Sequence, residues 1–317
     1  MSDENEAVDT SSCCASCGVA EIDDIKLKYC DGCDLVRYCS DDCKGDHKSQ
    51  HEEACKKRAA ELREELLFKQ PESTHRGDCP ICMIPLPINP RRYVMMGCCS
   101  KVICKGCLNT IVLLETEASL CPFCRNSTSD PDEESEKLRM KRIEANDPYA
   151  MTDHGKRQNN KGDYSSGFEY FTKAAELGNA DANYLLSVMY REGKGVEKDE
   201  VKGMFHLEEA AIGGHPEARF TLGAIEWNDG DIKRAVKHHI IAANLGLDES
   251  IKVLMGAFKD GEISKEDLTA ALRAHKAAVD ATKSPEREFE EKFTSKLLDM
   301  MENGSSLADL LQLKHTT

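Results

Sequence analysis

Cys14-Ala15-Ser16-Cys17, Cys30-Asp31-Gly32-Cys33, Cys39-Ser40-Asp41-Asp42-Cys43 and His51-Glu52-Glu53-Ala54-Cys55 follow one another in one short stretch of the chain. Each is a pair of donors separated by two or three residues. That spacing lets both side chains reach one ion from a tight turn or from one turn of helix. Zinc takes four such donors at about 2.0–2.3 Å. Four pairs make two closed sites. A closed site leaves no position for water or substrate, so the role it implies is structural.

Outward from this stretch, the cysteine distribution sharpens the reading. All 16 cysteines lie between Cys13 and Cys124, and residues 125–317 contain none. Thiols used only for core packing would be scattered along the chain. Inside a reducing compartment, such a cluster binds metal rather than forming disulfides. Lys plus Arg is 42 against 57 Asp plus Glu, a formal charge of −15. That argues against a general nucleic-acid binder, which needs a basic surface. No apolar run approaches the roughly 18 residues of a membrane helix. Residues 1–12 carry Asp3, Glu4, Glu6 and Asp9 and read as a disordered acidic tail, unlike a signal peptide. The expected location is cytoplasmic or nuclear.

The order of the first eight donors, with Arg37-Tyr38-Cys39-Ser40-Asp41-Asp42-Cys43 and the closing His51-x3-Cys55, resembles the MYND zinc finger. The resemblance implies Cys14, Cys17, Cys39 and Cys43 on one zinc and Cys30, Cys33, His51 and Cys55 on the other. It also implies a module, here 13–57, that recruits proteins or peptides. Lys48 stands where many such fingers carry a Trp of the peptide groove. Cys13 reads as a spare thiol or a competitor of Cys14, and His47 as a solvated helix residue. After Cys55, the period of Ala59, Leu62 and Leu66 predicts a helix over 52–70, ended by Gln70-Pro71. It makes 58–74 a linker helix between two modules.

A second cluster follows: Cys79-Pro80-Ile81-Cys82, Cys98-Cys99, Cys104-x2-Cys107 and Cys121-Pro122-Phe123-Cys124-Arg125. This order, over 75–126, resembles an all-cysteine RING finger. Cross-bracing then puts Cys79, Cys82, Cys104 and Cys107 on one zinc and Cys98, Cys99, Cys121 and Cys124 on another. Adjacent cysteines share an ion only with local backbone strain, and His75 is a distant substitute for Cys98. Together the two modules offer donors for four Zn²⁺. RING fingers often recruit a ubiquitin-conjugating enzyme. The resemblance gives that contact to Ile81, Ile111, Pro122 and Arg125, with no catalytic residue in the chain itself. Around this module Arg76, Arg91, Arg92, Lys101, Lys105 and Arg125 outnumber Asp78, Glu115 and Glu117. The simple reading is that they offset the charge of the thiolate sites; recruitment of an acidic partner is the sharper one.

Residues 127–147 read as a polar linker ending in a short helix. Beyond it Ala174-Ala175-x-x-Gly178, Ala210-Ala211-x-x-Gly214 and Ala242-Ala243-x-x-Gly246 recur, with an echo at Ala277-Ala278. Intervals a little over thirty residues long signal stacked helix pairs. The alanines admit close helix approach, and the glycines end helices in the left-handed conformation. With Tyr190-Arg191-Glu192-Gly193-Lys194-Gly195-Val196 and Leu222-Gly223, the stretch 148–283 resembles SEL-like repeats, relatives of the tetratricopeptide repeat. It implies an α-α solenoid of three to four helix pairs with a protein-binding face. His206, His215, His238 and His239 read as solvated or capping residues. In 284–317, Ser284-Pro285 opens a helix whose Phe289, Phe293, Leu297 and Met301 share a face, expected to cap the last repeat. Leu307 to Leu313 reads as a short helix.

The fold class expected is two cross-braced zinc modules followed by an all-α solenoid. The function expected is a zinc-binding interaction adaptor with RING-dependent ubiquitin-ligase activity. The alternative is a true RING ligase whose substrate is chosen by the repeats. Expected partners are proteins or peptides at the first finger and the repeats, and a ubiquitin-conjugating enzyme at the second; no membrane or nucleic-acid partner is expected.

Overall fold

The computed structural model describes residues 13–21, 25–114, 120–126 and 132–302; the side chains of 113–114, 132–133 and 297–302 are not described. The acidic tail, Glu115 and Glu117, the side chains of Leu297 and Met301, and the helix expected over Leu307 to Leu313 lie outside what is described. The chain divides into two compact units, Met1–Lys69 and Gln70–Thr317.

The first unit holds the first cysteine cluster. A minimal antiparallel pair, β1 (Lys28–Tyr29) and β2 (Arg37–Tyr38), sits beside helix α1 (Asp41–Phe68). The helix starts eleven residues before the 52 expected from periodicity. Ser40 is the reason: its hydroxyl accepts from the Cys43 N–H at 3.2 Å, and Asp41 and Asp42 fill the first turn. The linker helix is thus a continuation of the finger's own helix. It ends at Phe68, with Lys69 extended ahead of Gln70-Pro71.

The second unit begins with the second cluster. Strands β3 (Tyr93–Met95) and β4 (Val102–Cys104) pair antiparallel, and α2 (Lys105–Leu114) follows. Cys79, Leu86, Met96, Ile103, Cys104, Cys107 and Cys121 form its core. Where a polar linker ending in a short helix was expected, α3 (Asp132–Glu144) spans most of the stretch and docks on α4 (Pro148–Asn160). Its Arg139, buried, pairs with Glu136 and reaches Asp153 at 2.9 Å. A helix whose polar face is neutralised by its neighbour reads as a linker only when the neighbour is unknown.

Four helix pairs make the solenoid: α4 with α5 (Tyr164–Glu176), α6 (Ala180–Glu192) with α7 (Glu200–Ile212), α8 (Pro216–Asn228) with α9 (Ile232–Asn244), and α10 (Asp248–Lys259) with α11 (Lys265–Ala281). The recurring Ala-Ala-x-x-Gly builds one identical turn three times. Gly178, Gly214 and Gly246 take positive φ, and the next N–H reaches back to the first alanine: Asn179 to Ala174, His215 to Ala210, Leu247 to Ala242, at 3.0–3.1 Å. Those three alanines are wholly buried. Gly214 carries a second constraint, since a Cβ there would lie 2.9 Å from the Ser73 carbonyl, where the chain entering the second module crosses. The echo at Ala277-Ala278 falls inside α11 and makes no such turn.

Helix α12 (Pro285–Glu302) departs from expectation. It lies against α2 of the second module. Arg287 and Glu290 are buried, Phe293 is half-buried and Phe289 is exposed. No helix among the described residues is long and apolar enough to cross a membrane.

Candidate metal centres

A single backbone turn supports both clusters. In the first, the Gly18 N–H reaches the Cys14 carbonyl at 2.9 Å and Asp34 reaches Cys30 at 3.2 Å. In the second, Met83 reaches Cys79 at 2.8 Å and Arg125 reaches Cys121 at 3.0 Å. The residue after the second cysteine has φ between 55° and 74° in every case. Only Gly18 adopts this left-handed value without steric cost. Asp34, Met83 and Arg125 hold it where their N–H closes the turn on the carbonyl of the first cysteine.

The same turn explains the adjacent Cys98 and Cys99. Ser100 has φ 57° and its N–H reaches the Met96 carbonyl at 2.8 Å. Met96 therefore occupies the place of the first cysteine, and its side chain joins the core. Cys99 keeps the place of the second. Cys98 supplies the remaining sulfur from inside the turn, and the strain expected from adjacency is confined to one left-handed residue.

The donors fall into four groups: Cys14, Cys17, Cys39 and Cys43; Cys30, Cys33, His51 and Cys55; Cys79, Cys82, Cys104 and Cys107; Cys98, Cys99, Cys121 and Cys124. Within each, all donor atoms lie within 4.8 Å of one another. Sulfurs on a tetrahedral zinc at about 2.3 Å stand roughly 3.8 Å apart. Cys17–Cys39 is 3.6 Å, Cys30–Cys55 3.7 Å, Cys82–Cys104 3.9 Å and Cys99–Cys121 3.7 Å. No cysteine is in a disulfide. Cys13 stands outside the groups, bridged through its backbone to Ala20.

The electrostatics fit the same cofactor. Burial, with neighbouring thiols, pushes Cys98 and Cys107 far above the ordinary thiol range. Burial also acts on Cys79, but N–H groups of Cys104, Cys82 and Ile81 aimed at its sulfur bring it down to about 7. The Cys104 N–H lies 3.4 Å from that sulfur. Four thiolates this close repel one another, and a divalent cation between them reverses the sign. His51 Nε2 stands 3.1 Å from the Cys33 sulfur, and burial, then His47, lowers its pKa toward the neutral imidazole a metal needs. His47 is half-buried rather than solvated: its ring stacks on His51 and its Nδ1 meets Tyr38 Oη at 3.0 Å.

His75 does not substitute for Cys98. It belongs to a fifth group with Asp181 and His215, which sequence spacing did not suggest. Asp181 Oδ1 lies 3.2 Å from His75 Nε2 and 3.4 Å from His215 Nε2. Arg76 donates to both Asp181 oxygens at 3.1 and 3.3 Å, and Lys156 stands 3.9 Å away. Burial raises the Asp181 pKa, but these partners hold it well below the usual carboxylate range. A carboxylate already facing a guanidinium and an ammonium is a charge hub, not a cation site. His215 is also the cap of α8, accepting from the Ala218 N–H at 3.3 Å. His238 and His239 are buried, against the solvated reading, and His206 hydrogen-bonds Asn183 at 2.9 Å.

Of the residues expected to contact a conjugating enzyme, Ile81 is 39% exposed and Arg125 is exposed. Ile111 and Pro122 are half-buried.

Comparison with known proteins bears on both ends of this chain. Residues 14–55 match the MYND finger. Residues 154–179, 180–215 and 223–247 match the Sel1 repeat. The chain thus carries a MYND finger, which binds zinc, and a solenoid of Sel1 repeats. Among solved structures it is similar to a Sel1 repeat protein from Oxalobacter formigenes, at 26% identity and TM-score 0.40, over 47% of this chain and 66% of that one. It is also similar to c5321, a protective antigen of uropathogenic Escherichia coli strains displaying an SLR fold, at 23% identity and TM-score 0.38, over 46% of this chain and 33% of that one. The chain spans less than two thirds of the length of either protein. MYND fingers and Sel1 repeats are protein-interaction modules, so the chain is a zinc-binding interaction adaptor.

Proposed function

We propose that this adaptor is a RING-type ubiquitin ligase, with the sixteen grouped donors as zinc ligands and the module at 75–126 as the conjugating-enzyme platform. The observation that carries the reading is the interleaving of the second cluster. Donors from 79–82 meet those from 104–107, and donors from 98–99 meet those from 121–124, which is the cross-brace a RING needs. Ile81, exposed between the first two ligands, and Pro122, between the last two, are apolar residues fixed on the two zinc loops. Arg125, exposed after the last ligand, offers a planar donor fork suited to bridging two proteins. Ile111 on α2 stands near in sequence to the same loops. Such a module has no nucleophile; it accelerates transfer by holding the charged partner in a reactive geometry. The repeats would select substrate, and the first finger would recruit a peptide.

The test is ubiquitin-conjugate formation by the zinc-loaded chain with activating enzyme and a panel of conjugating enzymes, beside Ile81→Ala and Arg125→Ala. Conjugation by the wild type that both variants lose supports the reading. No conjugation across the panel leaves the adaptor alone.

A further inference from the structure

Arg287 is a buried cation whose hydrogen-bond partners, among the described residues, include no carboxylate. It sits in the first turn of α12, where the Ser284 hydroxyl accepts from its N–H at 3.3 Å, and it is 2% exposed. Its Nη1 donates to the carbonyls of Pro85 and Thr282, both at 2.7 Å. Its Nη2 donates to the Ile84 carbonyl at 3.1 Å and to the Cys82 sulfur at 3.4 Å. Among the described residues, none of its hydrogen-bond partners is a carboxylate. Taking a guanidinium out of water costs several kcal/mol unless a countercharge stands close. Carbonyl dipoles solvate it but do not neutralise it. The countercharge available is the metal group: four thiolates on one Zn²⁺ leave two negative charges.

The contact is built into the fold. A Cβ on Gly106, between Cys104 and Cys107, would lie 2.9 Å from the Arg287 backbone nitrogen and from the Glu286 carbonyl carbon. The start of α2 is therefore pressed against the backbone of α12. A second pair, Arg92 to Glu291 at 2.9 Å, fastens the same helix one turn on. Two arginines nearer in sequence are turned elsewhere: Arg76 faces Asp181 and Arg92 faces Glu291.

We propose that Arg287 is a positioning residue of the Cys79–Cys82–Cys104–Cys107 zinc site, donating through Nη2 to the Cys82 thiolate so that α12 belongs to the second module's metal centre. The inference rests on that module holding zinc and not on ligase activity; a loaded chain that conjugates nothing leaves it intact. Partners of this kind, donating to metal ligands, typically support metal affinity 10–100-fold. An N–H donated to a thiolate also lowers the energy of its lone pair, which the near-ultraviolet thiolate-to-metal charge-transfer band of Co²⁺ reports directly.

The experiment uses the full chain loaded with zinc, or with Co²⁺ as the probe. In Arg287→Leu, one ion of the four is expected to pass to a chromophoric chelator roughly 10–100-fold more readily, with the other three as in the wild type. The cobalt–thiolate band moves to longer wavelength in the difference spectrum. Arg287→Lys keeps the charge without the fork, so its release is expected between the two and its band is displaced. Phe293→Ala, which thins the same helix without touching the guanidinium, is expected to release all four ions as the wild type does. Wild-type release in Arg287→Leu would overturn the proposal. So would an unmoved cobalt band in Arg287→Lys, which also decides the matter if the leucine variant does not fold. Equal acceleration by Phe293→Ala would reduce the arginine to helix packing, and would overturn it as well.

Discussion

The two zinc modules hold their metals by the same turn and depend on their surroundings differently. In the first, every donor and the helix that carries three of them belong to one compact unit, Met1–Lys69. In the second, the donors lie in a unit shared with the repeats, and His75, Arg76, Arg92 and Arg287 tie the module to Gly214, Asp181, Glu291 and α12. Identical coordination chemistry therefore has local consequences in one case and global ones in the other.

The sharpest break of that comparison is ligand removal. Structural zinc in isolated fingers contributes on the order of 10 kcal/mol to folding. Cys33→Ser is expected to lower the zinc content and leave the main calorimetric transition of the second unit in place. Cys104→Ser is expected to lower both the zinc content and that transition. Matching calorimetric traces from the two variants would erase the distinction.

Next in size is Asp181→Ala. It leaves Arg76, half-buried against the repeats, without its carboxylate; fully buried pairs lose about 3–5 kcal/mol in this way, and this half-buried one is expected to lose less. Urea unfolding should show the midpoint falling, while zinc content holds. Acidification sharpens the comparison from the side of the repeats. Burial, with His238 beside it, holds His239 at about 4, against an ordinary 6.5. The unfolded chain takes up that proton first, so this stability is present above pH 6.5 and is lost as pH falls toward 4. The loss approaches about 3 kcal/mol once the window is crossed. His215, also lowered chiefly by burial, adds in the same direction. His239→Gln should flatten the fall in melting temperature over that window.

Gly223→Ala comes below these. Its Cβ would lie 2.8–3.0 Å from three atoms of the buried His239 ring. Overpacking of this kind costs about 1–3 kcal/mol, readable as a lower urea midpoint with an unchanged slope. The smallest effect belongs to the first module: Ser40→Ala removes the cap of α1 and should cost about 1 kcal/mol, followed by the thermal midpoint of the first unit.

What could be read in the sequence was whatever is local. The donor pairs announce themselves because each pair is made by one turn. The Ala-Ala-x-x-Gly turns do so because one hydrogen bond closes each of them. What escaped was set by partners far along the chain. Arg139 makes a polar stretch into a docked helix only because Asp153 faces it. Arg287 reaches Cys82 across most of the second unit, and no spacing rule connects them. The stripe of Phe289 and Phe293 suggested the buried face of α12, but the residues of its first turns that are buried are Arg287 and Glu290. The histidines of the repeats read as solvated or capping; His215 caps α8, but the residues that enclose two others, Gly223 under His239 and Glu226 beside His238, come from a neighbouring helix.

Helix α1 brings Cys43 to one donor group and His51 with Cys55 to the other. A rod clasped at two points along its length cannot turn about its axis or slide past its sockets. Residues 56–68 therefore leave the finger along a bearing set by both donor groups.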